Sequence, residues 1–307
     1  MSRIDLTGVF PAPVTPFDDG LAVDEGTLRG LVKHALAPQG MTGVVVNAVA
    51  GEADALSAAE QTRIVEVVRS EVDGGRLVVA GIAASTAHSA RSQVEAVAAA
   101  GADAVLLQAP GSFARGIGEA PEVALRFVRE AARGGLPVIL FQHQVSTQRA
   151  YPLPLLLQLL EIDNVVAVKE TIWDVARYEQ NVAAIRRERP DVQVLLANDT
   201  LLLPCLVSAM PDGLLLGFAA LAGDLIAQMF RAVQAGDLHE ARRLHDALAP
   251  LRDTIYASPS LSYYSRMKVA LHLLGVLPNH RVRSPLVESS PEEIERVRAA
   301  LTTSGLL

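Results

Sequence analysis

Short, predominantly apolar runs recur along the chain. Between them lie longer stretches in which apolar residues return every third or fourth position. The continuous runs fall at 9–14, 43–48, 77–81, 104–108, 137–141, 165–169, 192–197 and 213–217. A strand apolar on both faces belongs to a parallel sheet covered by helices. The helical patterns fall at 25–36, 57–72, 86–100, 120–133, 152–160, 174–189 and 201–209. Their ends carry ordinary signals. Asp24 precedes the first as an N-cap, Ser57 and Glu60 form a capping-box pattern, and Gly101 follows the third as a stop.

Eight strand-then-helix units predict an α/β fold, a (β/α)8 TIM barrel occupying residues 1–222. The alternative, a doubly wound open sheet, requires a glycine-rich phosphate fingerprint after the first strand. Thr15-Pro16-Phe17-Asp18-Asp19-Gly20 stands there instead. Residues 223–307 carry four more helical patterns, at 225–235, 238–256, 263–274 and 291–301. No low-complexity linker intervenes, so this C-terminal helical extension is expected to pack on the barrel.

Composition narrows the function. Of 307 residues, 50% are hydrophobic, enough for a large core, and only 4% are aromatic. The net charge is −7 without a basic cluster, which argues against nucleic acid as a partner. The opening Met-Ser-Arg-Ile-Asp-Leu-Thr-Gly lacks an apolar signal core. The most apolar region, 201–230, is broken by Asp212 and Asp224 before it reaches the roughly 18 residues of a membrane span, so no membrane association is expected. A single cysteine, Cys205, allows no internal disulfide and fits a reducing cytoplasm. It sits in an apolar run and reads as a buried, inert thiol.

Catalytic residues of such barrels lie at the C-terminal ends of the strands, and three of those ends carry candidate chemistry. The sixth run closes as Val165-Val166-Ala167-Val168-Lys169, and the chain has only two other lysines, Lys33 and Lys268. Lysine is seldom buried without a partner or a function, and desolvation exposes the free amine that attacks carbonyls. Spacing alone supports equally a lysine that snorkels to water just beyond the sheet. Lys33 reads as solvated and Lys268 as structural. The fifth run ends in Phe141-Gln142-His143-Gln144. His143 reads there either as a proton shuttle or as a loop histidine at the pocket rim. The second run ends in Val49-Ala50-Gly51-Glu52, where a Gly turn directs backbone N–H groups toward an anion. Glu52 reads as tying down that loop. After the seventh run, Asp199 reads as a cap for the following helix rather than as a pocket residue. The seven histidines show no metal-ligand spacing, and no phosphate-binding loop is present, so no metal and no cofactor are expected.

The segments Pro13-Val14-Thr15-Pro16-Phe17, Gly51-Glu52, Leu136-Pro137-Val138-Ile139-Leu140 and Val168-Lys169-Glu170 carry a resemblance that spans nearly the whole chain. So do Gly236-Asp237 with Glu240-Ala241-Arg242, and Lys268 with Leu274-Gly275. Together they resemble the dihydrodipicolinate synthase/N-acetylneuraminate lyase family of class I aldolases. The resemblance implies a (β/α)8 barrel with C-terminal helices and a homo-oligomer, tetramer or dimer. It matches Lys169 to the family's Schiff-base lysine, which condenses with pyruvate or another small 2-oxo acid without a metal or organic cofactor.

The departures from the family pattern shape the expected reaction. The family's Gly-x-x-Gly-Glu loop usually holds Thr-Thr or Ser-Thr in its middle. Val49 and Ala50 stand there instead, leaving only their backbone N–H groups for a substrate carboxylate. The fifth strand normally ends in a tyrosine, the acid/base beside the Schiff base, and here it is Phe141. The Pro-Tyr-Tyr of the fourth loop is replaced by Pro110-Gly111-Ser112-Phe113, and Arg149 lies near the family's substrate arginine in sequence but out of register. The resemblance therefore implies a divergent lyase, an aldolase, hydratase-aldolase or dehydratase, and not a true dihydrodipicolinate synthase. His143 is the first candidate to replace the tyrosine, with Gln142, Ser112 and Thr171 as polar helpers. The alternative is a catalytically impaired relative that binds a small carboxylic acid.

Overall fold

A computed structural model describes residues 4–307; Met1, Ser2 and Arg3 of the opening segment lie outside the described residues. Eight parallel strands alternate with helices along the chain. They are β1 (Gly8–Pro11), α1 (Glu25–Leu36), β2 (Gly43–Val46), α2 (Ala58–Glu71), β3 (Leu77–Ile82), α3 (Ala87–Ala99), β4 (Ala104–Leu107), α4 (Pro121–Ala132), β5 (Val138–Gln142), α5 (Leu153–Leu160), β6 (Val165–Glu170), α6 (Val175–Glu188), β7 (Gln193–Leu196), α7 (Leu202–Ser208), β8 (Gly213–Leu216) and α8 (Ala219–Gln234). From β2 to β8 each strand hydrogen-bonds to its sequence neighbour, and β8 pairs with β1. The ring closes between β1 and β2, where the Val9 N–H donates to Gly40 O (3.0 Å) and the Thr42 N–H donates to Val9 O (3.1 Å). The fold is a (β/α)8 barrel with a C-terminal helical extension.

Strand alternation divides the core in two. Phe10, Val45, Val79, Leu106, Ile139, Ala167, Leu195 and Leu215 fill the barrel interior. Their neighbours Val9, Val44, Val78, Val105, Leu140, Val168, Val194 and Leu214 pack outward against the helices. Because both faces are buried, neither carries the polar residues that would make the alternation visible in the sequence.

The termini of several elements differ from the sequence reading. β1 stops at Pro11 because Pro11 and Pro13 have no N–H to continue the ladder. β5 and β6 each run one residue further, to Gln142 and Glu170. The helix expected from 225 begins at Ala219, with a non-helical break at Ala222 (φ −125°, ψ 40°) that obscures its periodicity. It packs on β1 and α1 as the eighth barrel helix, so the expected division at residue 222 falls inside it.

Beyond α8 come α9 (Leu238–Ile255), α10 (Tyr263–Leu273) and α11 (Pro291–Thr303). α9 lies on α8, and α11 on both α9 and α10. Buried charges fasten this extension. Arg266 pairs with Glu293 at 2.9 Å, and Lys268 of α10 pairs with Glu52 of the β2 loop, both side chains 1% exposed. Lys268 also donates to Arg281 O (2.7 Å) and stands 4.1 Å over the Phe17 ring. Glu52 and Lys268 are therefore structural, as the sequence suggested. Among the described residues, no helix is long and apolar enough to cross a membrane.

Candidate active site

The C-terminal ends of the strands open into a cavity of ≈ 300 Å³. Lys169 reaches it because β6 alternates: Ala167 and Lys169 face inward, Val168 and Glu170 outward. Its side chain is buried at 8% exposure. Of the three lysines, Lys33 pairs with Glu71 and Lys268 with Glu52, whereas Lys169 forms no ion pair among the described residues. Burial dominates its chemistry and pushes the ammonium down to about 8, against a weaker opposing pull from Asp199.

The same alternation sorts the three polar residues at the end of β5. Phe141 and His143 face the cavity, while Gln142 faces away. The Gln142 amide closes a two-way bond with Tyr151, donating to its carbonyl (2.8 Å) and accepting from its N–H (2.9 Å). It is a structural residue between β5 and α5, not a cavity residue. Phe141 carries His143 stacked on its ring, centroids 4.1 Å apart. Burial, assisted by Arg149 and Lys169, pushes the imidazolium of His143 down to about 3. At neutral pH it is an uncharged ring whose buried Nε2 has no hydrogen-bond partner among the described residues.

The β2 loop forms a 3₁₀ turn over Val49–Gly51. The Gly51 and Glu52 N–H groups bond back to Ala48 O and Val49 O (both 3.0 Å), and the Thr15 hydroxyl donates to Gly51 O at 2.7 Å. The N–H groups of Val49 and Ala50 head the turn, where the helical pattern supplies no acceptor. Both residues line the cavity. Gly217 keeps that wall close: a Cβ on it would stand 3.2 Å from the Ala50 Cβ.

Two other expectations are corrected. Ser112 is exposed on the turn Gly111–Arg115 and does not line the cavity, because Phe113 is the residue that anchors this turn, edge-on to Phe127 at 5.6 Å. Asp199 does not cap α7. Among the described residues no side chain caps α7, whose N-cap position is Leu201; Asn198 holds the turn leading into it, its Oδ1 accepting the Leu201 N–H (3.0 Å) and the Thr200 hydroxyl (2.9 Å). Asp199 lines the cavity instead, accepting from the Tyr256 hydroxyl (2.8 Å) and the Phe218 N–H (3.3 Å). Burial pushes its carboxyl up to about 6, although both donors and Lys169 favour the anion. Thr171 does line the cavity, with its hydroxyl donating to Gln142 O at 2.7 Å.

The sequence reading missed the aromatic wall. Tyr256, one residue past α9, and Tyr263, opening α10, reach over the barrel mouth and stack at 5.7 Å. One signal was available: three of the five tyrosines fall within 256–264. Trp173, 56% exposed, and Arg149, whose Nη1 donates to Ala109 O (3.4 Å), complete the rim. Arg149 reaches the cavity despite its offset in sequence.

The profile of the dihydrodipicolinate synthetase family matches residues 5–304. Similar relatives include the 4-hydroxy-tetrahydrodipicolinate synthase of Moorella thermoacetica, 34% identical over 97% of this chain and 98% of that one. That of Neisseria meningitidis serogroup C is 32% identical over 98% of this chain and the whole of the other. In structure, the dihydrodipicolinate synthase of Thermotoga maritima superposes with a TM-score of 0.90 at 24% identity, covering 99% of this chain and 100% of that one. The lysine-bound enzyme of Cyanidioschyzon merolae gives 0.87 at 26% identity over 99% and 100%.

Proposed function

The chain belongs to the dihydrodipicolinate synthetase family, and on that premise we propose that it is a lyase forming a Schiff base between Lys169 and a small 2-oxo acid of the pyruvate type. The observation that carries this reading is the lysine itself: buried, unpaired with a carboxylate, and directed into the cavity at the end of β6. The substrate carboxylate rests on the N–H groups of Val49 and Ala50. The neutral amine attacks C2, a C–N bond forms, and loss of water leaves the imine. No metal or organic cofactor enters this scheme.

The reaction is an aldol cleavage, a hydratase-aldolase step or a dehydration, and differs from that of the named relatives. Support comes from Phe141, which has no proton to exchange, and from Val49 and Ala50, which have no hydroxyls. His143 takes the part of a neutral hydrogen-bonding contact to the substrate through its free Nε2, since desolvation keeps it uncharged. Thr171 lines the wall beside it, and Arg149 at the rim offers a cation to a second acidic group. A homo-oligomer, tetramer or dimer, belongs to the same reading and is tested by light scattering.

Treatment with pyruvate or another 2-oxo acid and borohydride is expected to leave a covalent adduct at Lys169, located by peptide mass. Absence of an adduct across a panel of such acids overturns the reading. Product formation from pyruvate and the aldehyde substrate of the dihydrodipicolinate synthases, at the rate of a true synthase, overturns the claim of a different reaction. The competing reading, a binding protein without turnover, is favoured by the proton-free strand-5 position. Its signature is ligand binding unaffected by His143→Ala and no conversion of any trapped acid.

A further inference from the structure

An imine at Lys169 leads to carbon chemistry only if a nearby group takes a proton from C3 and returns one. The cavity wall leaves few choices. Phe141 exchanges no proton. The Tyr256 phenol is itself held protonated by burial and already donates to a carboxylate. Glu52 is committed to Lys268. Asp199 is the sole carboxylate lining the cavity among the described residues. It does not cap α7, and the turn into that helix is held by Asn198.

We propose that Asp199 is the general base of this site, with Tyr256 as the residue that positions it. The assignment rests on the Schiff-base reading above and adds the proton acceptor to it. In the step itself, Lys169 N is bonded to C2 as a protonated imine. One C3–H bond breaks and its electron pair becomes the C2=C3 bond. The C2=N pair moves to nitrogen, and the proton goes to the Asp199 carboxylate. The enamine so formed takes a proton back at C3 or bonds to an electrophile there.

Geometry supports the assignment from four sides. Asp199 faces Lys169 from β6, the Phe218 N–H beyond β8, Tyr256 after α9 and Tyr263 of α10. The Tyr256 hydroxyl and the Phe218 N–H each occupy one lone pair of a different carboxylate oxygen, so each oxygen keeps another for the substrate. Burial lifts the carboxyl to about 6, close to the neutral range in which a general base operates best. In this way the C-terminal helices, rather than the strands, complete the site.

The test is deuterium uptake at C3 of pyruvate and 2-oxobutanoate in D2O, followed by NMR, beside borohydride trapping at Lys169. The wild-type protein is expected to do both. Asp199→Asn keeps the shape of the side chain and is expected to be trapped while its exchange falls by about 10²–10⁴-fold. Asp199→Ala is expected to lose exchange and regain part of it with added formate, a rescue that a purely structural role does not give. Tyr256→Phe removes a donor that favours the anion, so the exchange midpoint is expected to shift to higher pH. Exchange by Asp199→Asn within about threefold of wild type, a span well below the ordinary worth of a general base, overturns the assignment and leaves the Schiff base intact. Failure of the wild type to be trapped overturns both.

Discussion

The Lys169 nitrogen stands 4.0 Å from the centroid of the Phe141 ring, and the two residues are register partners across β5 and β6. The ring face attracts the ammonium by about 0.5–2 kcal/mol. Burial opposes it: lowering the ammonium from 10.5 to about 8 corresponds to about 3 kcal/mol against the charged form. Burial wins, and the side chain that faces the lysine has no proton to interfere with the resulting amine.

This sets the pH dependence of imine formation. The reactive form is the neutral amine, and a group titrating at about 8 is roughly one-tenth neutral at pH 7. Adduct formation with pyruvate, trapped with cyanoborohydride, is therefore expected to rise about tenfold per pH unit below about pH 7.5 and to level off above about pH 8.5. A midpoint near that of an ordinary lysine would show that the cavity does not desolvate Lys169.

Phe141→Tyr places a phenol hydroxyl where the ring now meets Lys169. If the missing strand-5 acid is what limits simple pyruvate chemistry, C3 exchange is expected to rise by about threefold or more, a modest part of the usual contribution of an acid/base group. The stack with His143 is retained, so the fold is expected to tolerate the change. Unchanged exchange with unchanged trapping would show that Phe141 is more than a lost tyrosine.

The barrel was legible because every strand is buried on both faces and therefore reads as a mainly apolar run without alternation. Lys169 was legible as a charge closing four apolar positions. Gln142 was misread for the same reason that the strands were easy to find. A run apolar on both faces hides its phase, so nothing marked Gln142 as outward until Phe141 was known to face inward. Asn198 and Asp199 are both good cap types, and nothing in the local sequence shows that Asn198 holds the turn into α7 while Asp199 bonds Tyr256 and the Phe218 N–H. Tyr256 and Tyr263 arrive from far along the chain through helix packing, which leaves no trace in local periodicity.

The Glu52–Lys268 pair is a separate test of how the extension is held. Glu52→Gln leaves the buried ammonium of Lys268 without its counter-charge, a loss of about 3–5 kcal/mol. The double variant Glu52→Gln/Lys268→Met removes both charges and is expected to recover most of that loss in urea unfolding. A single-variant cost below about 1 kcal/mol, as for an exposed pair, would show that the pair does not hold α10 to the barrel.

Glu170 offers the sharpest stability prediction. It is the outward neighbour of Lys169, fully buried, with Oε1 accepting from the Asn181 amide at 2.9 Å and Oε2 without a partner among the described residues. Burial raises its carboxyl from 4.5 to about 8, outweighing the Asn181 bond, so it is protonated at pH 7. The folded state thus holds a proton that the unfolded chain releases above about pH 4.5. The stability this proton supplies is full below that point and declines as pH rises toward about 8, by at most about 1.4 kcal/mol per unit. Glu170→Gln preserves the acceptor for Asn181 and cannot ionise. The variant and wild type are expected to unfold alike near pH 4, and the variant to be more stable by a few kcal/mol near pH 8. Parallel stability curves for the two proteins from pH 4 to pH 8 would show that Glu170 is already ionised in the folded protein.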